Sequence, residues 1–462
     1  MPRRSSLGDP LQTAPPWPPT TQTVLPSGLT VVTVALPHLH TVAVSVEVGV
    51  GSRYETKRTS GLSHLVEHGL FRGCEAIPSA VELNAALERV STGLDAATYR
   101  DFTVFEATAR PGDLGRVLEL VGAVLGRPTF RDLAAERRII AEELRDEVDE
   151  RGRDVDVDNV ARRARFGDRG LGLKVGGVPK IIAGLTEDQC RRWHAEHYRP
   201  GNMVVAVAGP VEHARVVERV AASFARLPPG GAVRLPPSPQ EARVPPVVYV
   251  ASRGSQASVQ LSWTAPAPGE AAALALDWAA RLLDDGTSAR LRREIVDERS
   301  LAYDVSTTIE AHDDTALLLV EAACSPDNVL DVVRTTLASL VSLAAQGPRE
   351  DEWRRVRDRF ALRWESLRDH AEAVAAWASH QARHAPHHTL PERWEAALAV
   401  PPHEVAAALG AVLTATPPLI AVVGELSPVQ RAGLRRAAHG RLEVPGSLAR
   451  QGASAASPET KS

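Results

Sequence analysis

Gly61-Leu62-Ser63-His64-Leu65-Val66-Glu67-His68-Gly69-Leu70-Phe71 has the apolar spacing of a helix, interrupted by two imidazoles and a carboxylate. Side chains four apart lie on one helix face, so His64 and His68 are placed to close on a single metal ion. Glu67, one turn from His64 and beside His68, reaches over a water held by that ion. This is the geometry of a zinc hydrolase with one zinc ion per chain, given a third protein ligand and an open position for water.

The third ligand is sought downstream. Residues from Asp132 to Glu147 read as part of one long helix, expected over 132–150, and Glu136 and Glu143 lie two turns apart on one face of it. Glu143 is assigned as the third ligand. Glu136 is assigned to orient a histidine through the ring nitrogen that the metal does not use. Glu147 is the alternative ligand, and Glu142 points off that face.

These residues resemble the inverted zincins of the pitrilysin, insulin-degrading enzyme and mitochondrial processing peptidase type, whose hallmark is His-x-x-Glu-His followed by a distant Glu. Gly51-Ser-Arg-Tyr-Glu55 ahead of the motif, Leu70-Phe71-Arg-Gly73 behind it and Glu136-Arg137 before Glu143 stand in that family's register. The resemblance covers nearly the whole chain. It implies an endopeptidase acting on peptides or unstructured segments, with Glu67 taking a proton from the attacking water and passing it to the leaving amine. It also implies two homologous α+β domains that form half of a chamber, so that a second chain closes it. The resemblance further implies a substrate that lies as an added strand on a sheet edge.

The strand from Leu94 is the candidate edge, and there the chain departs from the family. Asp95-Ala96-Ala97-Thr98 replaces the usual Asn-Ala-x-Thr, and an ionised Asp only accepts hydrogen bonds where Asn both donates and accepts. Asp101 and Phe105 stand where Glu and Tyr are common. In the second domain Tyr303 matches a substrate-contacting Tyr, but Val296 stands where its companion Arg is expected. Arg292, Arg293 and Arg299 are out of register and read as surface residues. The expected substrate-binding residues are therefore Asp95 and Tyr303. The expected partner is a second copy, or a homologous chain carrying the complete Arg and Tyr pair. A non-catalytic core subunit of the same fold and the catalytic half of a heterodimeric leader-peptide peptidase are the alternatives, and the complete set of His64, Glu67, His68 and Glu143 favours an enzyme.

Composition sets outer bounds. With 462 residues the chain holds more than one domain, and a net charge of −4 offers no basic field for nucleic acid. Cys74, Cys190 and Cys324 are odd in number and lack metal-binding spacing, so no disulfide framework is expected. Residues 1–20 hold no apolar segment, and the expectation is a cytoplasmic protein without a membrane anchor.

The domain plan follows from turn signals. After a disordered segment 1–20, a catalytic domain is expected over 21–227, with a hairpin around Pro26-Ser27-Gly28, a strand over 41–50 carrying Val42, Val44, Val46 and Val48 on one face, and strands over 94–98 and 102–109. A Pro-rich linker spans 228–246, a homologous second domain 247–445 with helices over 271–283, 288–297, 326–343 and 350–367, and a disordered tail 446–462. Met203-Val-Val-Ala-Val-Ala-Gly209 is echoed by Leu419-Ile-Ala-Val-Val-Gly424, which points to internal duplication. The fold class is α+β, each domain a mainly antiparallel sheet packed on long helices. His380, His384, His387 and His388, beside Pro386 in an expected loop and without a spaced carboxylate, are read as no metal site. His194 and His197 are read as structural.

Overall fold

The computed structural model describes residues 17, 19–238, 245–384 and 389–439. Most of the segment 1–20, the middle of the linker, His387, His388 and the tail 446–462 lie outside the described residues. Around Pro26-Ser27-Gly28 the chain turns between β1 (Thr20–Val24) and β2 (Thr30–Ala35), the expected hairpin. It continues through β3 (Val42–Val48), α1 (Leu62–Leu70), α2 (Ala80–Glu88), β4 (Asp95–Thr98), β5 (Thr103–Ala109), α3 (Leu114–Gly126) and α4 (Leu133–Glu143). Then come α5 (Val157–Phe166), the short α6 (Pro179–Ile182), α7 (Glu187–His197), β6 (Met203–Gly209) and α8 (His213–Ser223).

The second half begins with β7 (Val247–Ala251), β8 (Ala257–Ala265), α9 (Ala271–Asp284), β9 (Ala302–Ala311) and β10 (Ala316–Cys324). It ends with α10 (Val329–Gln346), α11 (Glu350–Leu367), α12 (Ala371–His384), α13 (Leu390–Ala399), α14 (Pro402–Ala415), β11 (Leu419–Gly424) and α15 (Pro428–His439).

The two sheets repeat one plan. The first runs β1-β2-β6-β3-β5-β4 and the second β7-β11-β8-β10-β9. In each, one pair is parallel, β2 with β6 and β7 with β11, and every other neighbour is antiparallel. The duplication inferred from the two matching strand ends is thus a duplication of the whole sheet, with β1 added to the first.

Burial shows how the halves are joined. β3 and β6 are buried at every position rather than at alternate ones, the pattern of strands covered on both faces. On one face Val42, Val44, Val46 and Val48 meet Leu65, Val66 and Leu70 of α1 and the α3 residues Val117 and Val121. On the other, Val32, Val34, Ala43, Val204, Ala206 and Ala208 meet Ala371, Val374, Ala375 and Ala378 of α12, a helix of the second half. The second sheet reciprocates. Leu419, Ala421 and Val423 are covered by Val160 and Ala161 of α5, a helix of the first half, and Leu317 and Leu319 meet Phe166 at its end. Each half therefore lends its equivalent helix to the sheet of the other.

Two elements differ from the sequence reading. The helix expected over 132–150 ends at Glu143 and tightens into a 3-10 turn, Leu144–Glu147. Acidic Asp146 and Glu147 are unfavourable at a helix C-terminus, and Glu147 is instead held by Lys174 at 3.0 Å and Asn159 at 3.1 Å. The expected helix over 288–297 is a π-helical turn, Arg292–Asp297. Residues 228–238 form no helix or strand, yet they are anchored: Arg53 Nε donates to the Pro236 carbonyl at 2.9 Å, and the Ser238 amide to Asp314 at 2.8 Å. Pro326–Gln346 is long and apolar enough to cross a membrane by length and composition, but Val332, Val333, Leu340 and Leu343 of it are enclosed in the second core.

Candidate metal centre

α1 begins where Gly61 takes a left-handed conformation, φ 92°. A Cβ there would come within 2.7 Å of Ile182, so only glycine turns the chain at this point. The first amides of a helix lack intrahelical partners, and the buried Glu55 carboxyl accepts from the Gly61 and Ser63 amides, both at 2.7 Å. Leu62, Leu65, Val66 and Leu70 bury the helix in the first core. That burial fixes the helix rotation and leaves His64 and His68 on the half-buried face.

The two imidazoles converge there. His64 Nε2 and His68 Nε2 are 3.1 Å apart, and Glu143 Oε2, at the last turn of α4, lies 3.9 Å from the first and 3.8 Å from the second. Three donors bound tetrahedrally at ~2.0–2.1 Å lie roughly 3.3 Å from one another, so the imidazole edge has the spacing of a zinc site and the two Glu143 edges are longer by about half an ångström. His68 Nδ1 is 2.9 Å from Glu136 Oε2, whose other oxygen faces Arg72 at 3.3 Å. With Nδ1–H donated to Glu136, the lone pair of His68 Nε2 is free for a metal.

Electrostatics sort the groups. Burial, then the neighbouring His68, pulls His64 down to about 4, which leaves it neutral and ready to ligate at neutral pH. Burial works against the charged form of His68 too, but the Glu136 bond and the nearby Glu67 and Glu143 outweigh it and raise its pKa. Glu67 is 8 % exposed, and burial raises its pKa, partly offset by the Thr98 hydroxyl, which donates to Glu67 Oε2 at 2.6 Å. A carboxyl with a raised pKa next to a metal triangle suits proton transfer in both directions. A pocket of about 240 Å³ opens beside it, lined by Glu67, His68, Phe71, Arg72, Ala80, Asn84 and Glu136.

The remaining candidates fall elsewhere. Glu147 is engaged with Lys174 and Asn159, and Glu142 pairs with Arg145 at 2.7 Å. Asp95 is exposed at the start of β4, opposite Glu106, and β4 is the outer strand of its sheet. Tyr303 is 85 % exposed on β9, the outer strand of the second sheet, while Val296 packs partly buried against the second core. Neither Asp95 nor Tyr303 bonds to His64, Glu67, His68 or Glu143 among the described residues. Asp101 is 2 % exposed and pairs with Arg53 at 3.2 Å. His194 and His197 bond to the Leu125 and Trp193 carbonyls.

The sequence reading missed the bond from Thr98 to Glu67, the capping of α1 by Glu55, and Arg72. Thr98 and Glu55 stood in quoted motifs, but only the fold gives them partners. It also misread His380 and His384, which lie on α12 rather than in a loop and meet a carboxylate, Glu47, from β3.

Comparison with known proteins identifies the family. Residues 30–174 match the family described as Insulinase (Peptidase family M16), and residues 184–360 match Peptidase M16 inactive domain. An uncharacterized zinc protease of Mycobacterium tuberculosis is 35 % identical over 76 % of this chain and 80 % of its own length. The beta subunit of the mitochondrial-processing peptidase of Blastocladiella emersonii is 33 % identical over 46 % of each chain. Among solved structures, a peptidase M16 inactive domain from Pseudomonas fluorescens superposes with a TM-score of 0.81 at 18 % identity, covering 88 % of this chain and 98 % of that one. A protease from Helicobacter pylori gives 0.78 at 21 %, covering 88 % and 100 %. With its inverted His-x-x-Glu-His helix, its duplicated α+β sheets and these relatives, the chain belongs to the insulinase family of peptidases.

Proposed function

We propose that this chain is a zinc endopeptidase, with His64, His68 and Glu143 as ligands and Glu67 as the general base. The observation that carries the reading is the convergence of two imidazoles and the Glu143 carboxylate, with a buried, Thr98-held carboxyl beside them. A zinc ion bound there supplies a Lewis acid that acidifies a water and polarises a peptide carbonyl. Glu67 accepts the proton of the attacking water and returns it to the leaving nitrogen, which its raised pKa favours. Glu136 keeps the His68 ring turned to the metal, and β4, with Asp95 at its start, has the free edge that an extended peptide would take; Tyr303, exposed on the outer strand of the second sheet, is the second residue expected to meet substrate.

The substrate class that suits an edge-strand site is an unfolded peptide, held in a chamber that two such chains close. Val296 cannot donate the charge-assisted bonds of an arginine, so the reading extends to a homologous partner that supplies a complete Arg and Tyr pair. A cytoplasmic setting fits three unpaired, buried cysteines. The rival reading, a non-catalytic core subunit, requires no intact triangle.

The test compares a fluorogenic peptide with a tightly folded host protein that carries the same segment. Cleavage of the peptide alone, abolished by a chelator and restored by zinc, is expected. Equal cleavage of both would rule out the chamber, and no cleavage by the zinc-loaded chain with or without a homologous partner would leave the core-subunit reading.

A further inference from the structure

A second convergence of imidazoles and carboxylate lies on the opposite face of the first sheet. His380 and His384, one turn apart on α12, meet Glu47 of β3, a carboxylate only 1 % exposed. His380 Nδ1 is 3.2 Å from Glu47 Oε2 and His384 Nε2 is 2.9 Å from Glu47 Oε1, and one donor atom from each of the three residues lies within 4.8 Å of the other two. The other ring nitrogen of His384, Nδ1, is bonded to Asp313. Asp313 therefore orients His384 as Glu136 orients His68. A neutral His384 can donate to only one of Asp313 and Glu47, so both contacts are met only by an imidazolium or by a cation at Nε2.

The surrounding charges sharpen the problem. Arg383 bonds to Glu47 at 2.8 Å and to Asp313 at 2.9 Å. The Asp313 amide donates to Asp101, and Asp101 and Asp314 both bind Arg53. Four carboxylates, Glu47, Asp101, Asp313 and Asp314, thus share two guanidiniums, Arg53 and Arg383, in the seam between the halves. With neutral histidines Glu47 and Asp313 have only the Arg383 guanidinium between them, while Asp314 is about one-third open to solvent, and buried charge without compensation is costly. Two protons would put imidazoliums on rings whose centroids are 4.0 Å apart. One divalent cation supplies the same charge without that repulsion. His380 and His384, with His312, line a cavity of about 310 Å³ that gives access to the two imidazoles, and the Phe102 ring lies 5.2 Å from that of His380 and 5.8 Å from that of His384, centroid to centroid.

We propose that Glu47, His380 and His384 bind a divalent transition-metal ion, zinc being well matched to a donor set of two imidazoles and one carboxylate. The ion clamps the halves together, because Glu47 belongs to the first and both histidines to the second.

The experiment measures zinc per chain on full-length protein, stripped with a chelator, re-equilibrated with Zn²⁺ and analysed by elemental mass spectrometry. Two ions are expected on the unaltered chain and one on His64→Ala/His68→Ala. His380→Ala/His384→Ala should also hold one, and the fourfold variant none. The thermal midpoint of His64→Ala/His68→Ala should still fall on chelation. Because His384→Ala strips Glu47 of a buried partner and endangers the fold, His380→Ala, which alters a half-exposed side chain, is the second variant. It should stay folded and lose the second ion at least tenfold more readily, and Asp313→Asn should weaken that ion about 10- to 100-fold as an orienting carboxylate does. A folded His64→Ala/His68→Ala protein that holds no zinc would overturn the proposal and assign the missing charge to protons. A filled second site beside an empty first would instead sink the catalytic reading and leave this one standing.

Discussion

The two halves place a helix pair in the same position and fill it with opposite chemistry. After β3 the first half sets α1 against α4 and lines the contact with His64, Glu67, His68, Glu136 and Glu143. After β8 the second half sets α9 against α11, and the 14 residues of α9 include no histidine. Aromatic rings fill that place: Trp278 lies 5.0 Å from Trp353 and 4.9 Å from Phe360, and Phe360 stacks on Trp394 at 5.1 Å. Sheet order and helix packing are therefore indifferent to the chemistry they carry, and the candidate metal centre is a few side chains grafted on one of two similar frames.

If that contrast is right, its largest consequence is at Glu67. Glu67→Gln should keep zinc and lower kcat on a peptide by about 10²- to 10⁴-fold, the usual range for a positioned acid or base. Full activity in that variant would erase the distinction between the halves. The mirror experiment is Trp278→Ala, which removes a ring 1 % exposed whose Nε1–H donates to the Ala397 carbonyl at 2.8 Å. It should cost about 3–5 kcal/mol of stability, read from denaturant unfolding, with zinc affinity at the first centre unchanged. A parallel loss of that zinc would mean that the halves are not separable in function.

Smaller changes sharpen the same comparison. Glu136→Gln should weaken zinc retention about 10- to 100-fold, while Glu147→Gln should leave it alone. The reverse order, measured by competition with a chromophoric chelator, would move the third ligand to Glu147. The smallest expected effect concerns pH. Burial pulls His194 down to about 4, and burial with Arg162, Arg100 and Arg53 pulls His312 to about 3. Below the unfolded value of about 6.5 the unfolded chain takes up protons that these folded sites refuse. Their contribution is complete above that pH and is lost as the pH falls towards 4 and then 3. Urea midpoints should drop between pH 7 and pH 4.5, less so in His194→Gln, and identical slopes in the two proteins would remove His194 from the account.

How much of this was legible depended on distance along the chain. His64, Glu67 and His68 are local, and the register of Glu136 with Glu143 is helical, so pattern alone placed them on one face. The matching strand ends announced the duplication. What pattern could not show were partners far apart in sequence. Glu47 and His380 are 333 residues apart, so His380 and His384 read as a cluster without a carboxylate. α5 went unread because its buried Arg162 and Arg165 look like surface charge until Glu310 and Ser262 are brought to them. The early end of α4 depended on Lys174 and Asn159, which a propensity reading of 132–150 does not contain.

The exchange of α5 and α12 sets the order in which the protein can mature. When β6 leaves the ribosome the first sheet is fully paired, yet Val32, Val34, Val204 and Ala206 still await Val374 and Ala378. At ~5–20 residues per second, α12 follows roughly 10–30 s later. For that interval an apolar sheet face stands open to chaperones or to the same face of a neighbouring nascent chain. A gene split at the linker would prolong the exposure indefinitely, so its two products should be recovered folded only when they are made together.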